Sequence, residues 1–146
     1  MNKSEILQII YDKLSEKIAI LESMISETRA SNNETKSSMG DKYETSREMV
    51  QQQINNLQVQ LNENVNARSS LKLINTNLHQ TIGLGSVVRT DKGLYYIAVS
   101  LGEIIFDEMK IFVISTESPL GKALLGKKEN YEILLNNSNQ TILNIW

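Results

Sequence analysis

The chain has 146 residues, 40% hydrophobic and 5% aromatic, which suits one modest core with an elongated solvated element and excludes two full cores. Lys and Arg total 15 against 17 Asp and Glu, and this near-neutral balance argues against a nucleic-acid protein that works by bulk positive charge. The absence of cysteine excludes a disulfide scaffold, a thiolate zinc site and a thiol nucleophile, and a lone histidine, His79, argues against a histidine-cluster metal centre or a Ser-His-Asp triad.

The first half reads as helix. Leu7, Tyr11, Leu14, Ile18, Leu21 and Ile25 recur at spacings of four and three, the pattern of a coiled-coil seam, while Lys13, Glu16, Lys17, Glu22 and Glu27 fill the other faces. Ser4 is the predicted N-cap. A helix over roughly residues 5–31 would be on the order of 40 Å long. The opening stretch MNKSEILQII has no signal-peptide core, and no apolar run approaches the roughly 18 residues of a membrane span, so a soluble cytoplasmic protein is expected. Small polar residues and a glycine, SNNETKSSMG at 31–40, then break the pattern. A second seam follows at Val50, Ile54, Leu57 and Leu61, continued less regularly by Val65. Neither stripe can be buried alone. The pair either folds into an antiparallel hairpin or associates with another chain, and the short connection favours the hairpin and a monomer.

The character changes after residue 80. Ser86–Thr90 and Leu94–Ser100 are β-rich runs joined at an Asp91-Lys92-Gly93 turn, and Ile111–Ser115 is a third strand. Tyr131–Leu135 and Thr141–Trp146 form a terminal pair around Asn136-Asn137-Ser138-Asn139. Between them, Ser118 is placed to N-cap a short helix with Pro119 at its first position and Gly126 ending it in a left-handed conformation. The predicted fold class is therefore α+β. An N-terminal antiparallel coiled-coil hairpin over residues 1–78, with its tip near 35–45, precedes a small, mostly antiparallel β domain with a short helix over residues 79–146.

Three groups of residues invite a chemical reading. Gly121 to Lys127 matches most of a phosphate-binding G-x-x-x-x-G-K loop, but Lys128 stands where Ser or Thr must hold magnesium, so the capped-helix reading is preferred. Asp41 and Glu44 stand three apart where the connection becomes the second helix. That spacing fits a capping box. The same two carboxylates at a hairpin tip would also offer oxygen ligands to a hard cation such as Mg²⁺, with the remaining ligands coming from a partner. Leu120, Leu124 and Leu125 read as core of the small domain, Tyr43 as a staple against the facing helix, and His79 as a linker or surface residue.

Ser118-Pro119-Leu120-Gly121-Lys122-Ala123-Leu124-Leu125-Gly126-Lys127 resembles the signature of the C-terminal domain of the bacterial Gre transcript cleavage factors. It follows Gly85-Ser86-Val87-Val88 and precedes a terminal Ile142–Trp146 strand in the order that family shows, and Gly40-Asp41-Lys42-Tyr43-Glu44 stands where the family carries G-D-x-x-E at its hairpin tip. After that glutamate the family usually has Asn-Ala-Glu-Tyr, where this chain has Thr45-Ser46-Arg47-Glu48, so the resemblance is to a divergent member or paralogue.

The resemblance implies an FKBP-like globular domain that docks on RNA polymerase, through Ser118, Pro119, Leu120, Gly121 and Lys122, while the hairpin enters the secondary channel. Asp41 and Glu44 would then assist catalysis by helping to hold a second Mg²⁺ shared with the polymerase, touching the RNA 3′ end only within the elongation complex. On this reading the chain is an accessory factor rather than an enzyme and binds no cofactor tightly by itself. Two alternatives stand beside it: a secondary-channel regulator without cleavage activity, and a coiled-coil adaptor whose globular end binds another protein.

Overall fold

The computed structural model describes the chain over residues 1–34 and 44–146. Two helices, α1 (Lys3–Glu34) and α2 (Glu44–Ser70), are followed by a 3₁₀ turn at Leu71–Leu73. Then come β1 (Val87–Thr90), β2 (Gly93–Ala98), β3 (Gly102–Phe106), β4 (Met109–Ser115), α3 (Pro119–Leu124), β5 (Glu132–Leu135) and β6 (Ser138–Ile145). The chain forms two compact units, one of residues 13–68 and one that joins residues 1–12 to 69–146. Among the described residues no helix is long and apolar enough to cross a membrane.

The first unit is a helical hairpin. Leu21 and Ile25 of α1 are buried against Ile54 and Leu57 of α2, with Val50 and Leu61 packed alongside. The Arg68 guanidinium donates to Ser15 Oγ at 3.2 Å. Low numbers on α1 thus meet high numbers on α2, which makes the helices antiparallel partners within one chain. Between its apolar positions α2 is coated with amides, and i to i+4 pairs such as Gln51 to Asn55 (3.0 Å) and Gln58 to Asn62 (3.1 Å) support the exposed face.

The start of α1 departs from the predicted seam. Ile6 and Ile10 are fully buried, whereas Leu7 is half-buried and Tyr11 is 42% exposed. These first turns belong to the other compact unit, so their buried face is selected by a different core and is rotated from the hairpin seam. The cap also differs. Asn2 Oδ1 accepts from the Glu5 N–H at 3.2 Å, two residues earlier than a cap at Ser4.

The second unit is built on a six-stranded sheet in the order β3-β4-β2-β1-β6-β5. Four of its five pairings are antiparallel, and β2 with β4 is parallel. The sheet is thus mostly antiparallel, as the sequence suggests, with one parallel pair inside it that makes it mixed. After β2 the chain passes over one strand position, runs along β3, and turns back, so β4 enters between β3 and β2 in the direction of β2. The sheet is open rather than closed into a barrel, with β3 and β5 at its edges.

Two tight turns carry paired left-handed residues, Asp107 and Glu108 (φ 48° and 63°) before β4 and Asn136 and Asn137 (φ 51° and 62°) before β6. Both φ values match the type I′ turn whose twist suits a hairpin. Strand β2 is buried on both faces from Leu94 to Ala98, as expected of a strand inside the sheet. On one face Ile82, Val88, Ile97, Leu124, Ile133, Ile142 and Ile145 form a core, with Leu120 and Ala123 of α3 packed against it. Val87, Tyr96 and Val113, which are register partners on neighbouring strands, fill the opposite face.

Candidate functional site

The segment Ser118–Lys122 is shaped first by its own hydrogen bonds. β4 ends at Ser115, whose carbonyl accepts from the Ser118 N–H at 3.2 Å and the Ser118 hydroxyl at 2.8 Å. The Ser118 Oγ in turn accepts from the Gly121 N–H at 3.0 Å, which satisfies one of the orphan donors of α3. Pro119 stands in the first turn, where its missing N–H costs nothing. Gly121 is buried, and a Cβ there would collide with the Ser115 carbonyl oxygen and lie 2.8 Å from Ser118 Oγ. Only glycine lets this helix start so close to the strand it leaves. At the other end Gly126 has φ +78°, and its N–H donates to the Ile82 carbonyl at 2.9 Å, while the Ile82 N–H donates to the Lys127 carbonyl at 2.9 Å.

Most of the motif is therefore spent on building α3. Leu124 is fully buried and Leu120 packs partly against the same core, whereas Leu125 is 38% exposed. The surface that the segment offers consists of Pro119 and Lys122, both exposed, with the half-buried Ser118 and Leu120 beside them. A partner that reads this segment would meet a rigid proline and one ammonium group held by a capped turn.

Asp41 lies outside the described residues, as do Tyr43 and the side chain of Glu44; Glu44 is the first residue of α2. In the chain both acids stand at the connection between two helices that pack antiparallel. Among the described residues no group of three or more His, Cys, Asp or Glu side chains is placed to hold a metal ion. The donor set that the sequence proposes, two carboxylates, suits a hard oxygen-seeking cation such as Mg²⁺ and leaves most of its coordination sphere to water and to a partner.

A second cluster surrounds His79, which is not a free linker residue. Its Nδ1 lies 2.6 Å from Ser86 Oγ, and that buried hydroxyl also accepts from the Gly83 N–H at 2.9 Å. Lys3, only 3% exposed, donates from Nζ to the Asn77 carbonyl at 2.6 Å. Burial holds the Lys3 ammonium below the usual lysine range. Burial, and then the charge of Lys3, push the His79 imidazole below the usual histidine range. The sequence carried no signal for this arrangement, because a lysine in a first helical turn ordinarily lies in solvent.

No family model matches the chain, and no curated protein matches it. Among solved structures the chain is similar to GreA factor homolog 1 (Gfh1) of Thermus thermophilus, at 19% identity and a TM-score of 0.38, over 93% of this chain and 94% of that one. It is also similar to Gfh1 of Thermus aquaticus, at 19% identity and a TM-score of 0.36, with 92% of each chain covered.

Proposed function

We propose that this chain is a cytoplasmic transcription elongation factor that binds RNA polymerase at its secondary channel and stimulates the polymerase's own cleavage of backtracked RNA. The observation that carries the reading is the hairpin: α1 and α2 pack antiparallel, and the segment joining them holds Gly40-Asp41-Lys42-Tyr43-Glu44. Two helices of this length suit insertion into a narrow channel, with the acidic residues carried at the far end. The Ser118–Lys127 segment supports the same reading by its resemblance to the Gre signature and by the exposed Pro119 and Lys122 that it offers to a partner.

In this proposal residues 79–146, with the FKBP-like architecture that the resemblance implies, dock on the polymerase, and the hairpin of residues 1–78 enters as a monomer. Asp41 and Glu44 contribute oxygen ligands beside the polymerase's own metal site and so carry an acidic tip close to the RNA 3′ end. A second Mg²⁺ held there supplies water activation and stabilisation of the leaving oxygen. The chain itself remains an accessory factor.

The test is a pair of conservative variants, Asp41→Asn and Glu44→Gln, assayed with a purified backtracked complex in Mg²⁺. Stimulated cleavage should be lost in both while polymerase pull-down is retained. Undiminished stimulation in both variants would overturn the metal role. One observation favours a second reading, in which the protein occupies the channel without promoting cleavage: Thr45-Ser46-Arg47-Glu48 replaces the Asn-Ala-Glu-Tyr usual after the tip. Binding without any acceleration by the wild-type protein would select it.

A further inference from the structure

The sheet unit contains an open cavity of about 520 Å³, within the size range of small-molecule sites. Its walls combine an indole ring (Trp146), an ammonium group (Lys128), an imidazole (His79), a carboxylate (Glu129) and the apolar Leu78.

Two of its polar groups, His79 and Glu129, have hydrogen bonds that define what they can offer. The Ser86 hydroxyl accepts from the Gly83 N–H, and its own proton has one acceptor within reach, His79 Nδ1. Ser86 is fully buried, so that proton must be used, and Nδ1 is therefore the accepting nitrogen. The hydrogen of the neutral ring then sits on Nε2, which makes it a donor. Glu129 Oε1 accepts from the Ile145 N–H at 3.1 Å, leaving Oε2 as an acceptor. The Arg89 guanidinium stands 6.0 Å from the Trp146 ring centroid and braces the indole.

A further charge, that of Lys3, acts on His79. The buried Lys3 ammonium has a carbonyl partner, and no described carboxylate lies within ion-pair distance of it. Buried charges are ordinarily paired, so Lys3 leaves a positive field without its counterpart. Burial, and after it that field, lower the affinity of His79 for a proton. An anion in the cavity would provide the missing charge.

We infer that this cavity binds a nucleoside monophosphate, its base stacked on Trp146, its phosphate held by Lys128 and the His79 Nε2–H, and its ribose hydroxyl donated to Glu129 Oε2. The inference is independent of the polymerase reading. It uses neither the hairpin tip nor the Ser118–Lys122 segment.

Trp146 is the only tryptophan in the chain, so its fluorescence reports this cavity and no other place. The full-length protein is titrated with AMP by fluorescence and calorimetry, with adenosine and inorganic phosphate as separate probes. AMP should quench Trp146 and bind more tightly than either fragment. Lys128→Gln should weaken AMP roughly tenfold by removing a charge-assisted hydrogen bond. Lys3→Met should also weaken AMP while the protein stays folded, because an uncompensated ammonium gives way to an apolar chain of similar length. The absence of both heat and fluorescence change at millimolar AMP would overturn the inference. So would inorganic phosphate binding as tightly as AMP, or AMP affinity unchanged in both lysine variants.

Discussion

At Gly121 a single hydrogen atom decides whether α3 can form. A methyl group there would meet the Ser115 carbonyl and Ser118 Oγ, so Gly121→Ala should cost about 2 kcal/mol or more, read as a lower midpoint in a urea melt. Tyr96 presents the opposite case. Its side chain is fully buried, its hydroxyl has no partner among the described residues, and burial pushes its pKa up to about 12. Tyr96→Phe removes an unsatisfied polar atom and should raise stability by about 1 kcal/mol. Because the folded state holds this proton more tightly than the unfolded state, its contribution is present below about pH 10 and is lost as pH rises towards 12. The variant should lack that alkaline loss. His79 acts at the other end of the scale. Its folded pKa lies below the ordinary 6.5, so the unfolded chain binds more protons as the solution is acidified, and stability falls as pH drops from about 6.5 through the folded value. A melt series from pH 8 to 5 should show a decline that His79→Gln reduces, beyond any fixed loss from the Ser86 contact. Ser118 and Gly126 were legible in the sequence because their roles are local. The burial of Lys3 and the engagement of His79 were not, because both arise from contacts across more than local chain distance.

At the scale of elements, the connections explain where the sequence was readable. Asn136-Asn137 announces a turn, since asparagine tolerates the left-handed region, and the β5–β6 hairpin follows. Asp107-Glu108 adopts the same geometry with a residue that favours it far less, and β3 consequently went unrecognised. The strand's partner β4 also lies parallel to β2, a pairing that no local pattern encodes. Replacing Asp107-Glu108 with Asn-Gly should relieve the strain of a glutamate at φ 63° and raise stability by about 1 kcal/mol, measurable as a higher unfolding midpoint. In the hairpin, the stripes at Leu21, Ile25, Ile54 and Leu57 were legible because 3.6-residue periodicity survives in any helix that buries one face. Leu57→Ala should cost about 2–5 kcal/mol if the cluster carries the hairpin, and circular dichroism would show the helical signal melting earlier. The periodicity failed only at Ile6 and Ile10, where α1 leaves the hairpin unit and a second core chooses its buried face.

At the scale of the whole molecule, one chain combines an antiparallel helical hairpin with a mixed six-stranded sheet unit that carries a capped, proline-led helix. The proposed division of labour follows from that combination: a globular part to dock, and a hairpin to carry two carboxylates to a distant reacting centre. In that proposal the two carboxylates act on the polymerase's metal chemistry rather than merely capping α2. The most direct measurement is the rate of RNA 3′-end cleavage in a purified backtracked complex from the same organism, in Mg²⁺, with and without this protein. Cleavage should be faster when the protein is present. An unchanged rate in a complex to which the protein is demonstrably bound would contradict it and return Asp41 and Glu44 to a capping role.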